Sequence, residues 1–152
     1  MDKDTKQKKL EGFSLLEVVL TIALILLMGG LLFPTTIYNI QKSRVNSYAA
    51  QLKTDIRYQQ QCARNKNIPT GIYFRAGEYI LFDGEDFASS TEKDTKKLPG
   101  NIRMPLFSLT NGNSILFPAG EFRPSSYGHI TLSASGYSTK VGINMEGLIE
   151  NE

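Results

Sequence analysis

The distribution of apolar and polar residues divides the 152-residue chain into four segments. Residues 1–12 are polar and rich in lysine, and residues 13–34 form an apolar run in which Glu17 is the only charged side chain. Residues 35–68 show helical periodicity, and residues 69–152 show the shorter period of strands separated by turns. We therefore predict a polar leader, a transmembrane helix, an amphipathic helical stalk and a globular part of antiparallel strands.

The apolar run is long enough to predict a membrane anchor. Phe13 to Phe33 spans 21 residues, and at about 1.5 Å per residue a helix of this length covers about 32 Å, against about 30 Å for a bilayer core. Lysines precede the run, while only Lys42 and Arg44 follow it closely. This bias predicts a single-pass protein of the plasma membrane, with a cytoplasmic N-terminus and the globular part outside. A cleaved secretory signal explains the run less well, because such a signal has a shorter apolar region and small residues at its cut site.

Glu17 is the unusual residue of the apolar run. A carboxylate in a membrane helix costs on the order of 2.5–3.5 kcal/mol near the bilayer centre, so its presence indicates a function. If the chain is cut before Phe13, the new α-amino group lies four residues from Glu17, which is one helical turn. The two charges can then pair within one chain or between neighbouring chains, and pairing between chains favours assembly. Gly12 suits a cleavage site because it has no Cβ and lets a protease approach the backbone.

The run Gly12-Phe13-Ser14-Leu15-Leu16-Glu17-Val18 resembles the processing motif of type IV prepilins and pseudopilins. The resemblance implies a prepilin peptidase that cuts after Gly12 and methylates the new N-terminus at Phe13. It implies that Glu17 contacts the N-terminus of an adjacent subunit, and Pro34 matches a proline at which such helices kink. The partners it implies are the other pilin or pseudopilin subunits, an inner-membrane assembly platform with its motor ATPase, and the lipid bilayer. The assembled protein would lie in a cell-surface or periplasmic filament.

The amphipathic segment carries an apolar stripe with helical spacing, which we expect to pack against the sheet. The stripe consists of Val45, Tyr48, Leu52, Ile56 and Ala63. The segment Ile68-Pro69-Thr70-Gly71 is predicted to end the helix. The resulting fold class is α+β: a long N-terminal helix, half transmembrane and half amphipathic, packed on a small antiparallel sheet as in type IV pilins.

Basic residues share another side of the amphipathic segment. Lys42, Lys53, Arg57 and Arg64 coincide at about 100° per residue. One interpretation is a groove for DNA or for acidic surfaces of neighbouring subunits, with Lys53, Arg57 and Arg64 as the nucleic-acid contacts. The other is a solvated flank, in which Arg64 is favoured by the dipole near the end of the helix. Cys62 is expected to be a small apolar filler or an exposed bystander.

Short apolar runs after residue 69 predict about five to seven antiparallel strands and few further helices. Residues 72–74 and 79–82 flank Ala76-Gly77 as a hairpin, residues 83–100 read as a loop, and turns are predicted at 110–113 and 135–136.

The tail resembles one group of pseudopilins. The segments Phe117-Pro118-Ala119-Gly120, Gly128-His129-Ile130-Thr131-Leu132, Val141-Gly142-Ile143-Asn144 and Gly147-Leu148-Ile149 follow in order. The layout is similar to the C-terminal sheet of H-type minor pseudopilins of type II secretion and to the D-type minor pseudopilin of Gram-positive competence machinery. It implies a minor filament subunit, and the long lysine-rich leader favours DNA uptake over protein secretion; a minor type IV pilus subunit is a further alternative. Two cysteines common near the C-terminus of major type IVa pilins are missing.

The chemistry available to the chain is limited. A net charge of +2, one cysteine and one histidine, His129, leave little basis for a nucleic-acid coat, a metal cage or a catalytic triad. Asp83, Glu85 and Asp86 suggest a calcium loop, but an EF-hand spacing is absent and an exposed acidic turn is the simpler interpretation. We predict no enzymatic activity, no cofactor and no bound metal. The rival hypothesis is a membrane-tethered binding module that never polymerises.

Overall fold

The computed structural model describes residues 14–151, with backbone only for residues 31–35, 106 and 151. Within this range the chain forms one long helix followed by eight strands. The helix is α1 (Leu15–Lys66). The strands are β1 (Thr70–Arg75), β2 (Glu78–Asp83), β3 (Glu92–Lys97), β4 (Arg103–Leu109), β5 (Ser114–Phe117), β6 (Gly128–Ala134), β7 (Tyr137–Ile143) and β8 (Ile149–Asn151).

The chain divides into two compact units, Met1–Ile37 and Tyr38–Glu152. The described part of the first unit is the beginning of α1. The second unit holds the rest of α1 and all eight strands.

The apolar stripe predicted on the amphipathic segment is confirmed by the structure. Val45, Leu52, Ile56 and Ala63 are each 0% exposed, and Tyr48 is partly buried against the same core. The core also takes inward-facing residues from strands of both sheets, including Ile72 of β1. The spacing of three, four and seven residues places these side chains on one face of the helix, where they lose their contact with water.

The first sheet has the strand order β3-β2-β1-β5 and is antiparallel throughout. The predicted hairpin around Ala76-Gly77 is confirmed, since Arg75 pairs with Glu78 across that turn. The loop predicted for residues 83–100 is wrong in part, because Glu92–Lys97 forms the edge strand β3 on β2. Its alternating charges hide it from a search for apolar periodicity, and charged residues, lysine above all, are typical of edge strands protected against aggregation.

The second sheet has the order β4-β6-β7-β8. The predicted turn at Ser135-Gly136 is confirmed as a two-residue hairpin in which Ala134 pairs with Tyr137. Ser135 and Gly136 both have positive φ, at 43° and 84°, as a type I′ turn requires. The turn at residues 110–113 joins strands of different sheets, because β4 pairs with β6 while β5 pairs with β1.

The predicted fold class is wrong in two respects. Within residues 14–151 we find no helix that is both long enough and apolar enough to cross a membrane. The strands form two four-stranded sheets and not one small sheet. The coarser α+β class with antiparallel sheets fits the structure.

Candidate functional site

The predicted processing site lies at the start of the chain. Gly12 and Phe13 are outside the described residues. Helix α1 begins directly after Ser14, whose carbonyl oxygen accepts hydrogen bonds from the backbone N–H of Glu17 at 2.9 Å and of Val18 at 3.2 Å. The exposed side chain of Glu17 therefore lies in the first turn, where the helix dipole favours a negative charge.

The first part of α1 presents an apolar surface, which we call the apolar face. Its large side chains are between 44% and 86% exposed: Leu15, Leu16, Val18, Val19, Leu20, Ile22, Leu24, Ile25, Leu26, Leu27 and Met28. Soluble monomers rarely expose so large a contiguous apolar surface. This face therefore requires a partner or an apolar environment.

Pro34 lies inside α1, which runs from Leu15 to Lys66 as one helical element. A proline in a helix interior removes one backbone hydrogen bond and favours a kink. The kink at this residue stays a prediction.

The cations predicted to contact nucleic acid lie in the second unit, and we call Lys53, Arg57 and Arg64 the basic flank. Arg57 and Arg64 are exposed and Lys53 is half-buried. None of the three belongs to an ion pair with another described residue. Lys42 differs from them, because its ammonium group lies 5.7 Å from the ring centroid of Tyr137.

A polar cavity of about 480 Å³, which we call the acidic cavity, opens between the end of α1 and the strands β2 and β3. Asp83, Glu92 and Asp94 line it with Lys66 and Lys93.

Gln59 also lines the acidic cavity and is only 3% exposed. Its Oε1 has no hydrogen-bond partner among the described residues. A buried acceptor without a donor costs free energy, so Gln59 is an unusual polar position in the lining.

A second cavity of about 480 Å³, the sheet cavity, lies on the second sheet. Ser108, His129, Gly142 and Glu150 form one cross-strand row in its lining, since they pair in turn along the sheet. The imidazole of His129 lies over Gly142, where an added Cβ would be 3.3 Å from Nδ1.

Apolar side chains complete the lining of the sheet cavity. They include Tyr127, Met145 and Leu148, which are 41%, 60% and 57% exposed. A mostly apolar cavity of this size with a few polar groups is typical of ligand sites.

Sequence reasoning missed the two buried glutamines of α1. Gln60 is 2% exposed and donates hydrogen bonds from Nε2 to the carbonyl oxygens of Phe122 at 2.8 Å and Gly147 at 2.9 Å. The available signal was helical spacing, because Gln59 follows Ile56 by three residues on the side of the apolar stripe.

The calcium interpretation gains no support. Among residues 14–151, no group of three or more His, Cys, Asp or Glu side chains is arranged to hold a metal ion. Cys62 is buried, in agreement with the filler interpretation. Its hydrogen bond with Tyr58 raises the pKa of that phenol.

The structure therefore separates the predicted residues into a Glu17 site on the apolar face and a basic flank on the second unit. It adds two cavities that the sequence did not indicate. No family model, curated protein or solved structure matches this chain.

Proposed function

We propose that this chain is a minor subunit of a type IV pilus-like filament, cut by a prepilin peptidase between Gly12 and Phe13. The observation that carries the proposal is the apolar face with a single carboxylate, Glu17, in its first turn. A helix with this surface is suited to packing among the same helices of neighbouring subunits. The motif around Gly12 supports the same interpretation through its resemblance to prepilins.

Electrostatics supports the link between cutting and assembly. Glu17 is the only charged side chain from residue 14 to residue 37, so its counter-ion must come from outside that segment. Packing the apolar face removes water from the carboxylate, and a desolvated charge without a partner is costly. A new α-amino group at Phe13 of a neighbouring chain supplies the missing positive charge at the same helical end.

The proposed machine is a competence filament for DNA uptake, drawn together by an assembly platform and its motor ATPase. The feature that favours it over type II secretion is the long, lysine-rich leader, since the layout of the tail segments is similar to both D-type and H-type subunits. In this role the chain is a substrate of the peptidase and not an enzyme, and its second unit lies outside the cytoplasm. The alternative machines are a type II secretion pseudopilus with an H-type subunit and a type IV pilus with a minor subunit.

The test is intact mass and N-terminal sequencing of the chain isolated from cells that contain an active prepilin peptidase. We expect a chain that begins at Phe13 and carries one additional methyl group. Gly12→Val should block the cut. The matched control Gly29→Ala, with free space around the added methyl group, should be cut as the natural chain is. A chain that still begins at Met1 in these cells would contradict the proposal.

A second candidate function is a binding module that does not polymerise, and the sheet cavity is the observation that favours it. Its lining combines exposed apolar side chains with a histidine and a glutamate, as in many ligand sites. This candidate predicts an uncut N-terminus and no effect of Glu17→Ala on the oligomeric state of the protein. The mass measurement therefore separates it from the filament proposal.

A further inference from the structure

In the second unit, the basic flank lies on one side of α1, and helix residues that line the acidic cavity lie on the other side. At about 100° per residue, the basic flank of Lys53, Arg57 and Arg64 lies about 80–120° to one side of Ala63. Tyr58 and Gln59, which line the acidic cavity, lie about 40–140° to the other side. The buried stripe runs between them, so the two surfaces face away from each other across the same helix.

The basic flank lacks a negative partner within the described chain. The described ion pairs are Arg75–Glu78, Asp94–Lys96 and Arg123–Glu146. The only acidic residue between positions 42 and 66 is Asp55, and it already accepts a 2.6 Å hydrogen bond from Tyr79. The flank is therefore available to an anionic surface of another molecule.

The acidic cavity carries negative charges that complement the positive charges of the basic flank. Its lining contains three carboxylates and two lysines. The ammonium group of Lys93 lies 4.6 Å from the ring centroid of Phe87, and Asp94 is paired with Lys96 at 2.7 Å. Asp83 and Glu92 form no ion pair with another described residue, so beside Lys66 and Lys93 they are the carboxylates left for an incoming cation.

Gln59 supplies an independent observation. Its side chain lines the same cavity, and its Oε1 is buried without a hydrogen-bond partner among residues 14–151. An arginine guanidinium offers five donors in a fixed planar arrangement, so one side chain can bond a carboxylate and an amide oxygen together. The cavity therefore fits a guanidinium better than it fits a neutral group.

We propose that the acidic cavity of one copy receives Arg57 or Arg64 from the basic flank of a second copy. The contact is heterologous, since two different surfaces meet, and a repeated heterologous contact that does not close generates an open filament. The inference rests on the proposed filament function and assigns a lateral contact between its second units. Because the contact is made by charges, it weakens as ionic strength rises.

Disulfide cross-linking of the full chain in assembled filaments tests the contact. Thr91→Cys places a thiol on the cavity rim, and Gln61→Cys places one beside Arg57 and Arg64, both in a Cys62→Ala background. We expect the chain with both thiols to give a ladder of dimers, trimers and longer products on oxidation. Each single-thiol chain should give no ladder.

Charge changes in the same cross-linkable chain provide the matched controls. Arg57→Glu with Arg64→Glu should lower ladder formation about tenfold or more, because like charges then meet. Adding Asp83→Arg and Glu92→Lys reverses the cavity as well and should restore much of the ladder. Gln59→Leu should reduce the ladder without lowering the stability of the free chain, and Lys140→Glu, on the exposed side of β7, should change neither.

The outcomes separate the inference from the function on which it rests. Cut subunits that sediment as filaments but give no ladder would overturn the lateral contact and leave the proposed function standing. Cut chains that never form filaments would overturn both. Retained ladders together with loss of DNA retention in the Arg57→Glu, Arg64→Glu chain would assign the flank to DNA and overturn the contact.

Discussion

The hydroxyl group of Tyr79 donates a 2.6 Å hydrogen bond to Oδ2 of Asp55 and joins β2 to the C-terminal half of α1. The Tyr79 side chain is 1% exposed, so the bond lies at the edge of the core. A similar bond of 3.0 Å runs from the hydroxyl of Tyr137 in β7 to Asn46. One hydrogen bond from each sheet thus fixes the position of α1 on the sheets, in addition to the packing of its apolar stripe.

Loss of the Tyr79 hydroxyl should destabilise the second unit. Tyr79→Phe keeps the ring but leaves Asp55 without its donor, and hydrogen bonds to charged groups contribute about 1.5–3 kcal/mol. We expect the free energy of unfolding of the full chain to fall by that amount, measured by urea denaturation in mild detergent with circular dichroism. The control Tyr127→Phe removes an exposed hydroxyl and should change stability by less than about 0.5 kcal/mol. An equal effect of both variants would contradict this role of the bond.

The same bond predicts a loss of stability in alkali. Burial and then the hydrogen bond to Asp55 raise the pKa of Tyr79 well above its ordinary value near 10. Because the folded pKa is raised, this contribution is fully present below about pH 10 and is lost as the pH rises through the folded value. Between about pH 10 and pH 12, the unfolding free energy should fall more steeply in the natural chain than in Tyr79→Phe. Parallel pH curves would count against the raised pKa.

A methyl group at Gly147 should be poorly tolerated. Gly147 has a φ of +83°, and a Cβ there would lie 2.6 Å from Nε2 of Gln60 and 2.6 Å from the carbonyl oxygen of Phe122. We expect Gly147→Ala to cost about 2 kcal/mol or more in thermal or urea unfolding, from backbone strain and the displaced glutamine. Gly112→Ala, with a φ of +66° and free space, should show the strain alone. Gly77→Ala, with free space and no positive φ, should be nearly neutral, and similar losses in all three would contradict the steric argument.

Neutralising Glu17 should separate processing from assembly. In the filament proposal, Glu17→Gln leaves the cut before Phe13 unchanged but removes the charge that pairs with the neighbouring N-terminus. We expect normal N-terminal sequencing and a reduction of about tenfold or more in sedimentable filaments. Glu121→Gln, an exposed change in the second unit, serves as the control. Normal filament yield with Glu17→Gln would remove the electrostatic basis of the proposal.

Local signals predicted the parts of the fold that depend on neighbours in sequence. The stripe containing Leu52 and Ile56 followed from helical spacing, and the hairpin at Ser135-Gly136 followed from a serine–glycine pair between two apolar runs. The edge strand β3 was missed because its residues are charged and it is recruited by pairing with β2. No pattern within Glu92–Lys97 marks that pairing.

The candidate sites divide in the same way. Glu17 was recognisable because a charge in an apolar run is conspicuous in any fold. The acidic cavity was not, because Gln59 and Asp83 are 24 positions apart in the sequence and line one cavity only when β2 lies beside the end of α1.

The sequence by itself determined the apolar stripe of α1 and the two hairpins, because each depends on residues within a few helical turns or one tight turn. Only the tertiary structure decided that β4 and β5, joined by a short turn, belong to different sheets. It also decided that Gln60 bonds to two distant carbonyl groups. The physical reason is that strand pairing and burial are set by contacts between segments far apart in the chain, and their balance is a property of the whole core.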